Sequence, residues 1–73
     1  MNIFHLEVLN AIATHGSFSD AAIELEVSQS AVSRAVASLE AELGVPLLAR
    51  GRFGARPTPV GERVIAHAQQ MLE

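Results

Sequence analysis

Two helical patterns separated by only three or four residues constrain this fold more than any other feature. Ser17, with an acidic residue three positions later, is typical of a helix N-cap and predicts a short helix over about 18–25. Ser28 is suited to cap the next helix, 29–43, which ends at Gly44. The side chains expected to face the core are Phe18, Ala21, Ala22 and Leu25, then Val32, Val36, Leu39 and Leu43. A short helix, a tight turn and a longer helix form the helix-turn-helix pattern.

The flanking segments predict another helix on each side and a hairpin. The first helix is expected over about 2–15. After Gly44, residues 45–50 are typical of a short strand and 50–56 of a Gly-rich loop, followed by a return strand. Thr58 followed by proline predicts the N-cap and first residue of a fourth helix that begins at about 59.

Length and composition restrict the class of protein. Seventy-three residues form one small domain or a fragment of a larger protein. The chain has no cysteine, which fits a reducing compartment, and no apolar run approaches the ~20 residues of a membrane span. It has no basic N-terminal leader, and it ends within a helical pattern. We therefore expect a cytoplasmic protein, without a membrane partner, that is truncated at its C-terminus.

Charge is unevenly distributed. The net charge of −3 argues against a polyanionic partner. Residues 29–56, however, carry four arginines against two glutamates, a net charge of +2. The rest of the chain carries one arginine against six acidic residues, a net charge of −5. One region is thus basic and the remainder acidic, and we interpret the acidic residues as a solvated surface.

The start of the third helix has side chains suited to contact the edges of DNA bases. With the apolar positions turned inward, the outward residues are Gln29, Ser30, Ser33 and Arg34. Short polar side chains and an arginine suit the hydrogen-bonding edges of the major groove. These four residues are the predicted base contacts.

Two further groups are suited to phosphate oxygens. Hydroxyls lie at the starts of the second and third helices, on Ser17, Ser19 and Ser28. Arginines flank two glycines in the hairpin, at Arg50, Arg52 and Arg56. The hairpin is therefore a candidate wing that reaches a DNA backbone or minor groove.

The fourth helix has a broad apolar face. One stripe is Val60, Val64, His67 and Met71, and beside it lies Gly61, Ile65, Ala68 and Leu72. Little of the chain remains for this helix to pack against, so we expect the face to bind a partner.

The ordered set resembles the N-terminal winged helix-turn-helix domain of the LysR-type transcriptional regulators. The resemblance is carried by GSFSDAAIELEVSQSAVSRAVASLEAELGVPLLAR and, after a hairpin of the family's length, by PTPVG. It implies a mainly α fold, with three helices and a two-stranded wing in residues 1–58 and the start of a dimerising linker helix in 59–73. It also implies that an effector-sensing domain is absent from this chain.

By this resemblance the domain binds double-stranded DNA as a homodimer on an interrupted inverted repeat, with helix 29–43 in the major groove and wing 47–58 on the backbone or minor groove. The backbone contacts are then Ser17, Ser19, Ser28, Arg50, Arg52, Arg56, Thr58 and Pro59. The dimerisation residues are Val60, Val64, Ile65, Ala68, Met71 and Leu72. No cofactor is implied. The full-length protein is expected to form higher oligomers and to bind a small-molecule effector in the missing domain.

Some positions depart from the family pattern. Proline is common at the position of Ser30, and polar or basic residues are frequent at those of Ala35, Ala37 and Ser38. Leu48 replaces a common phenylalanine, and the chain has no lysine. The reader helix is poor in charge, which predicts binding that depends strongly on dimerisation and on the wing.

Simpler roles remain open for the same residues. The serines can be helix caps only, Arg34 can pair with Asp20 or a glutamate, and the arginine loop can be merely solvated. The histidines lack metal-site spacing, and no nucleophile elbow, phosphate loop or paired carboxylate indicates an enzyme. The alternatives to this family are another winged-helix DNA binder and a winged-helix interaction module without DNA binding, which the net charge favours.

Overall fold

The computed structural model describes residues 1–52 and 54–72 of the chain. Within them lie four helices and one two-stranded antiparallel hairpin: α1 (Ile3–His15), α2 (Phe18–Leu25), α3 (Gln29–Leu43), β1 (Leu48–Gly51), β2 (Gly54–Pro57) and α4 (Pro59–Leu72). This is the predicted winged helix-turn-helix followed by a fourth helix.

Local capping sets where the helices start. The hydroxyls of Ser17, Ser28 and Thr58 accept the backbone N–H three residues later, at 3.1, 3.0 and 3.0 Å. All three caps confirm the sequence prediction. Asn2 caps α1 in the same way, so that helix begins at Ile3, one residue later than expected.

The core lies where α1, α2 and α3 meet, and it is closed by the hairpin and α4. Its largest fully buried side chains are Val8, Leu9, Ile12, Val32, Leu39 and Leu47. The predicted inward stripe of α3 is confirmed except at Leu43, which is 36% exposed. Leu43 lies in the last turn, past the buried stripe, and Ala35 is buried instead.

The hairpin is shorter and tighter than predicted. Its ladder pairs Leu48 with Pro57 and Gly51 with Gly54, so the strands run through the segment expected to be a loop. Residues 45–47 are not in a strand. The backbone N–H groups of Leu47 and Leu48 donate to the carboxylate of Glu40, at 2.7 and 3.2 Å. This also corrects the view that every acidic residue is merely solvated.

The expectation that α4 has little to pack against is wrong. The face formed by Gly61, Ile65 and Ala68 is buried, and the helix packs on α1. A Cβ on Gly61 would lie well within 3.0 Å of the Leu47 carbonyl oxygen, so only glycine allows this approach. The domain itself therefore buries about half of the apolar face of α4, which the sequence assigned to a partner.

Candidate nucleic-acid interface

The exposed start of α3 holds the predicted base contacts. Gln29, Ser30 and Arg34 are exposed and Ser33 is half-buried, while the opposite side of the helix faces the core. Ser28 caps the first turn, which leaves the Gln29 and Ser30 side chains free of the capping role. The structure thus brings the four residues together on one accessible surface at the helix N-terminus, and their contact with bases stays a prediction.

Arg34 makes no ion pair within residues 1–52 and 54–72, so the suggested pairing with Asp20 or a glutamate is not seen there. In that part of the chain the single ion pair joins the amino group of Met1 to Glu42. Arg34 lies beside a shallow groove that Phe4 and His5 also line. Its guanidinium keeps its donors for an external acceptor.

The serine hydroxyls can cap a helix and still donate. Ser17 and Ser28 each accept one backbone N–H, and a hydroxyl that accepts retains its proton. The Ser17 and Ser19 Oγ atoms form a hydrogen bond of 3.4 Å at the start of α2, so one of the two hydroxyls donates to the other. The second hydroxyl proton and the positive end of the helix dipole are available to an anion at this point.

The three wing arginines do not form one cluster. Arg50 lies in β1 on the face that includes buried Leu48 and Ala55, and Arg56 lies in β2 on the opposite face. Arg52 is exposed at the end of the hairpin. Neighbouring residues of a strand point to opposite faces, so Arg50 and Arg56 lie on opposite faces of the hairpin that the sequence predicted to be a wing.

Arg50 stacks on an aromatic ring. Its guanidinium carbon lies 4.1 Å from the centroid of Phe18, the first residue of α2. The periodicity predicts that Phe18 turns inward, which is confirmed, but no local signal links it to a residue 32 positions away. This contact joins the wing to the helix-turn-helix.

A second contact joins the wing to the turn between α1 and α2. The backbone N–H of Ala55 donates to the carbonyl oxygen of Gly16 at 3.0 Å. Gly54, with φ of 133°, lies so close that a Cβ there would fall well within 3.0 Å of the same oxygen. The hairpin is thus held against the body of the domain at both strands.

Thr58 and Pro59 are less suited to DNA than predicted. The Thr58 hydroxyl donates to the Pro46 carbonyl oxygen at 2.9 Å and accepts from Gly61, which uses its only proton within the chain. Pro59 has no backbone N–H to offer. Their observed role is to start α4 and fix it to the segment before β1.

The predicted dimerisation residues separate into two sets. Ile65 and Ala68 are core residues, 7% and 0% exposed, which contradicts their assignment to a partner surface. Val64 and Leu72 are half-buried, whereas Val60 and Met71 are 38% and 62% exposed. The face of α4 that remains accessible is the stripe Val60, Val64, His67 and Met71, which we call the α4 stripe.

Residues 1–52 and 54–72 contain no group of three or more His, Asp or Glu side chains placed to hold a metal ion. No helix among them has both the length and the hydropathy to cross a bilayer.

Comparison with known proteins identifies the family. Residues 3–62 match the model of the bacterial regulatory helix-turn-helix protein, lysR family. The probable HTH-type transcriptional regulator LrrA of Synechococcus elongatus is 64% identical over 73 residues, which are all of this chain and 25% of that protein. LinR of Sphingobium indicum, another HTH-type transcriptional regulator, is 44% identical over 69 residues, 94% of this chain and 23% of its own. The chain therefore spans about a quarter of the length of these relatives.

Solved structures agree with this assignment. The CbnR DNA-binding domain in its DNA complex superposes with a TM-score of 0.94 at 36% identity, covering 99% of this chain and 83% of that one. The BenM DNA-binding domain in complex with benA site 1 DNA gives 0.93 at 36% identity, covering 99% and 84%. The relatives are transcriptional regulators, which confirms the expectation that the chain is not an enzyme. By sequence and by fold, the chain belongs to the lysR family of bacterial regulatory helix-turn-helix proteins.

Proposed function

We propose that this domain binds double-stranded DNA sequence-specifically as the reader of a bacterial transcriptional regulator. The observation that carries the proposal is the exposed first half of α3, where Gln29, Ser30, Ser33 and Arg34 lie opposite a buried apolar stripe. Two solved relatives of the same fold, the CbnR and BenM domains, are DNA complexes, which supports the same partner for this chain.

In the proposed complex, α3 enters the major groove with its N-terminal half nearest the bases. Arg34 is the side chain able to make a bidentate contact with guanine, and Gln29 can pair with adenine. The Ser17, Ser19 and Ser28 hydroxyls and the wing arginines bind phosphates, which fixes the register of α3 without reading sequence. No cofactor is needed for any of these contacts.

The regulator is proposed to act as a homodimer in the bacterial cytoplasm. Two copies would pair through the α4 stripe and read the two half-sites of an interrupted inverted repeat. Because Ile65 and Ala68 are already buried, the proposed interface is narrower than the one inferred from sequence. Higher oligomers and the binding of a small-molecule effector are proposed for the full-length protein only.

Selection from a randomised duplex library, followed by fluorescence anisotropy over a salt series, tests this function. We expect enrichment of a two-fold symmetric site and an affinity that falls steeply with salt, by a slope of about −0.9 per phosphate contact. The net charge of −3 favours the alternative of a protein-interaction module. Absence of binding to every duplex at low salt, with the chain folded and dimeric, would favour that alternative.

Two variants, Arg34→Gln and Arg63→Gln, separate sequence readout from charge, because each removes one positive charge. Arg34 lies at the start of α3, whereas Arg63 is exposed on α4, outside the proposed DNA interface. We expect only Arg34→Gln to reduce the preference for the selected site over random DNA. Equal effects would indicate that Arg34 contributes charge but no readout.

A further inference from the structure

Arg50 combines an exposed position with a defined orientation. Its guanidinium carbon is 4.1 Å from the centroid of the Phe18 ring, within the range of a cation–π contact. Phe18 is only 9% exposed, so the core holds the ring firmly. Arg50 itself is exposed and makes no ion pair within residues 1–52 and 54–72, so its charge is not neutralised there.

A guanidinium that stacks on a ring keeps its hydrogen-bond donors free. A guanidinium that stacks on an aromatic ring uses its flat face, whereas its five N–H donors lie in its plane and point away from its edge. A phosphate approaching that edge can therefore be bound by two parallel hydrogen bonds. An arginine whose plane is already fixed loses less rotamer freedom when it binds.

The position of Arg50 relative to α3 also depends on the turn between α1 and α2. Phe18 directly follows Ser17, which caps α2, and Gly16 accepts the hydrogen bond from Ala55 of β2. The same three-residue segment thus contacts both strands of the wing. Arg50 is consequently tied to α2 rather than to a freely moving hairpin.

We propose that Phe18 is a positioning residue for DNA binding: its ring orients Arg50 so that the guanidinium edge meets a backbone phosphate beside the start of α2. This inference rests on the proposed DNA-binding function. Phe18 does not touch DNA, and its effect on affinity acts through Arg50 alone.

A double-mutant cycle on random duplex DNA tests the proposal, using Phe18→Leu, Arg50→Gln and the double variant. Leucine keeps an apolar side chain in the core but has no π face. We expect Phe18→Leu to weaken binding about two- to fivefold while the salt slope stays unchanged, because the charge remains. Arg50→Gln should reduce the slope by about 0.9, and the double variant should bind no more weakly than Arg50→Gln.

A conservative variant and an NMR measurement separate positioning from folding. Phe18→Tyr keeps the ring and should bind like the wild type. In the wild-type chain the Hε resonance of Arg50 should be shifted upfield by the ring current, and it should stay shifted in the DNA complex, with Arg63 as an internal reference. This measurement needs no variant to fold.

The outcomes distinguish the two proposals. If the wild type does not bind DNA at any salt concentration, the proposed function fails, and the positioning role fails with it. If the wild type binds but Phe18→Leu costs the same affinity in the Arg50→Gln background, Phe18 acts through the fold only. An unshifted Arg50 resonance in the complex would likewise overturn the positioning role.

Discussion

The carboxylate of Glu40 accepts the backbone N–H of Leu47 at 2.7 Å, across the turn that joins α3 to β1. The same oxygen accepts the N–H of Leu48 at 3.2 Å. Both of these leucines are buried, so their N–H groups have limited access to water as a substitute partner. The end of the reader helix and the start of the wing are therefore joined by one side chain.

Glu40→Ala is expected to lower the free energy of unfolding by about 2–3 kcal/mol, because two partly buried N–H groups lose a charged acceptor. Glu40→Gln should lose less, since an amide oxygen still accepts. Urea denaturation measures both, and Glu24→Ala, at an exposed position of α2, is the matched control. A Glu40→Ala midpoint equal to that of Glu24→Ala would show that the Glu40 hydrogen bonds to Leu47 and Leu48 do not stabilise the domain.

Gly61→Ala reverses the usual effect of placing alanine in a helix. In an unhindered helix interior the change would stabilise by about 0.5–1 kcal/mol. Here the new Cβ would lie well within 3.0 Å of the Leu47 carbonyl oxygen, and backbone cannot move aside cheaply. We expect a net loss of at least about 2 kcal/mol in thermal or urea unfolding. A Gly61→Ala protein as stable as the wild type would contradict the close packing of α4 on the backbone of Leu47.

Most element boundaries follow from local chemistry. Ser17, Ser28 and Thr58 each satisfy an N–H three residues away, so the signal for a helix start lies entirely within a short stretch of sequence. The exposure of Gln29 and Arg34 follows in the same way from the periodicity of α3. These features were predictable because no distant residue decides them.

Features that depend on distant residues could not be predicted. Periodicity defines the apolar face of α4 but not which surface covers it, so Ile65 and Ala68 were assigned to a partner when α1 covers them. The first strand begins at Leu48, later than predicted, and Glu40, seven residues before Leu47, accepts the N–H of Leu47 without any signal in the sequence between them. The stacking of Arg50 on Phe18 depends on the folded wing and has no sequence signature.

Glu26→Gly is expected to stabilise the domain. Glu26 ends α2 with φ of 58°, and among the described residues it is the one non-glycine with positive φ. A side chain in this left-handed conformation costs about 1–2 kcal/mol, which exceeds the entropic cost of glycine. We expect a gain of about 0.5–1 kcal/mol in unfolding free energy, measured by urea denaturation. Glu24→Gly, inside the same helix, should instead destabilise, and a loss in both variants would argue against strain at Glu26.

Arg34→Ala should reduce binding to the selected site by about 1–3 kcal/mol if the side chain makes a bidentate base contact. Anisotropy on the selected and a random duplex measures the difference. The expected result is a large loss on the selected site and a small one on random DNA, with Arg63→Ala giving little change on either. Equal losses on both duplexes would reassign Arg34 to a phosphate contact.

Met71→Glu tests whether the α4 stripe pairs two copies. Met71 is 62% exposed, so a carboxylate there costs the monomer fold little, but it would place like charges together across a symmetric interface. Sedimentation equilibrium over a concentration series should show an association constant at least about tenfold weaker than the wild type's, equivalent to about 1.4 kcal/mol. Ala66→Glu adds the same charge on another exposed side of α4 and should leave association unchanged. Equal weakening by both variants would point to net charge as the cause, and an unchanged Met71→Glu dimer would place the interface elsewhere.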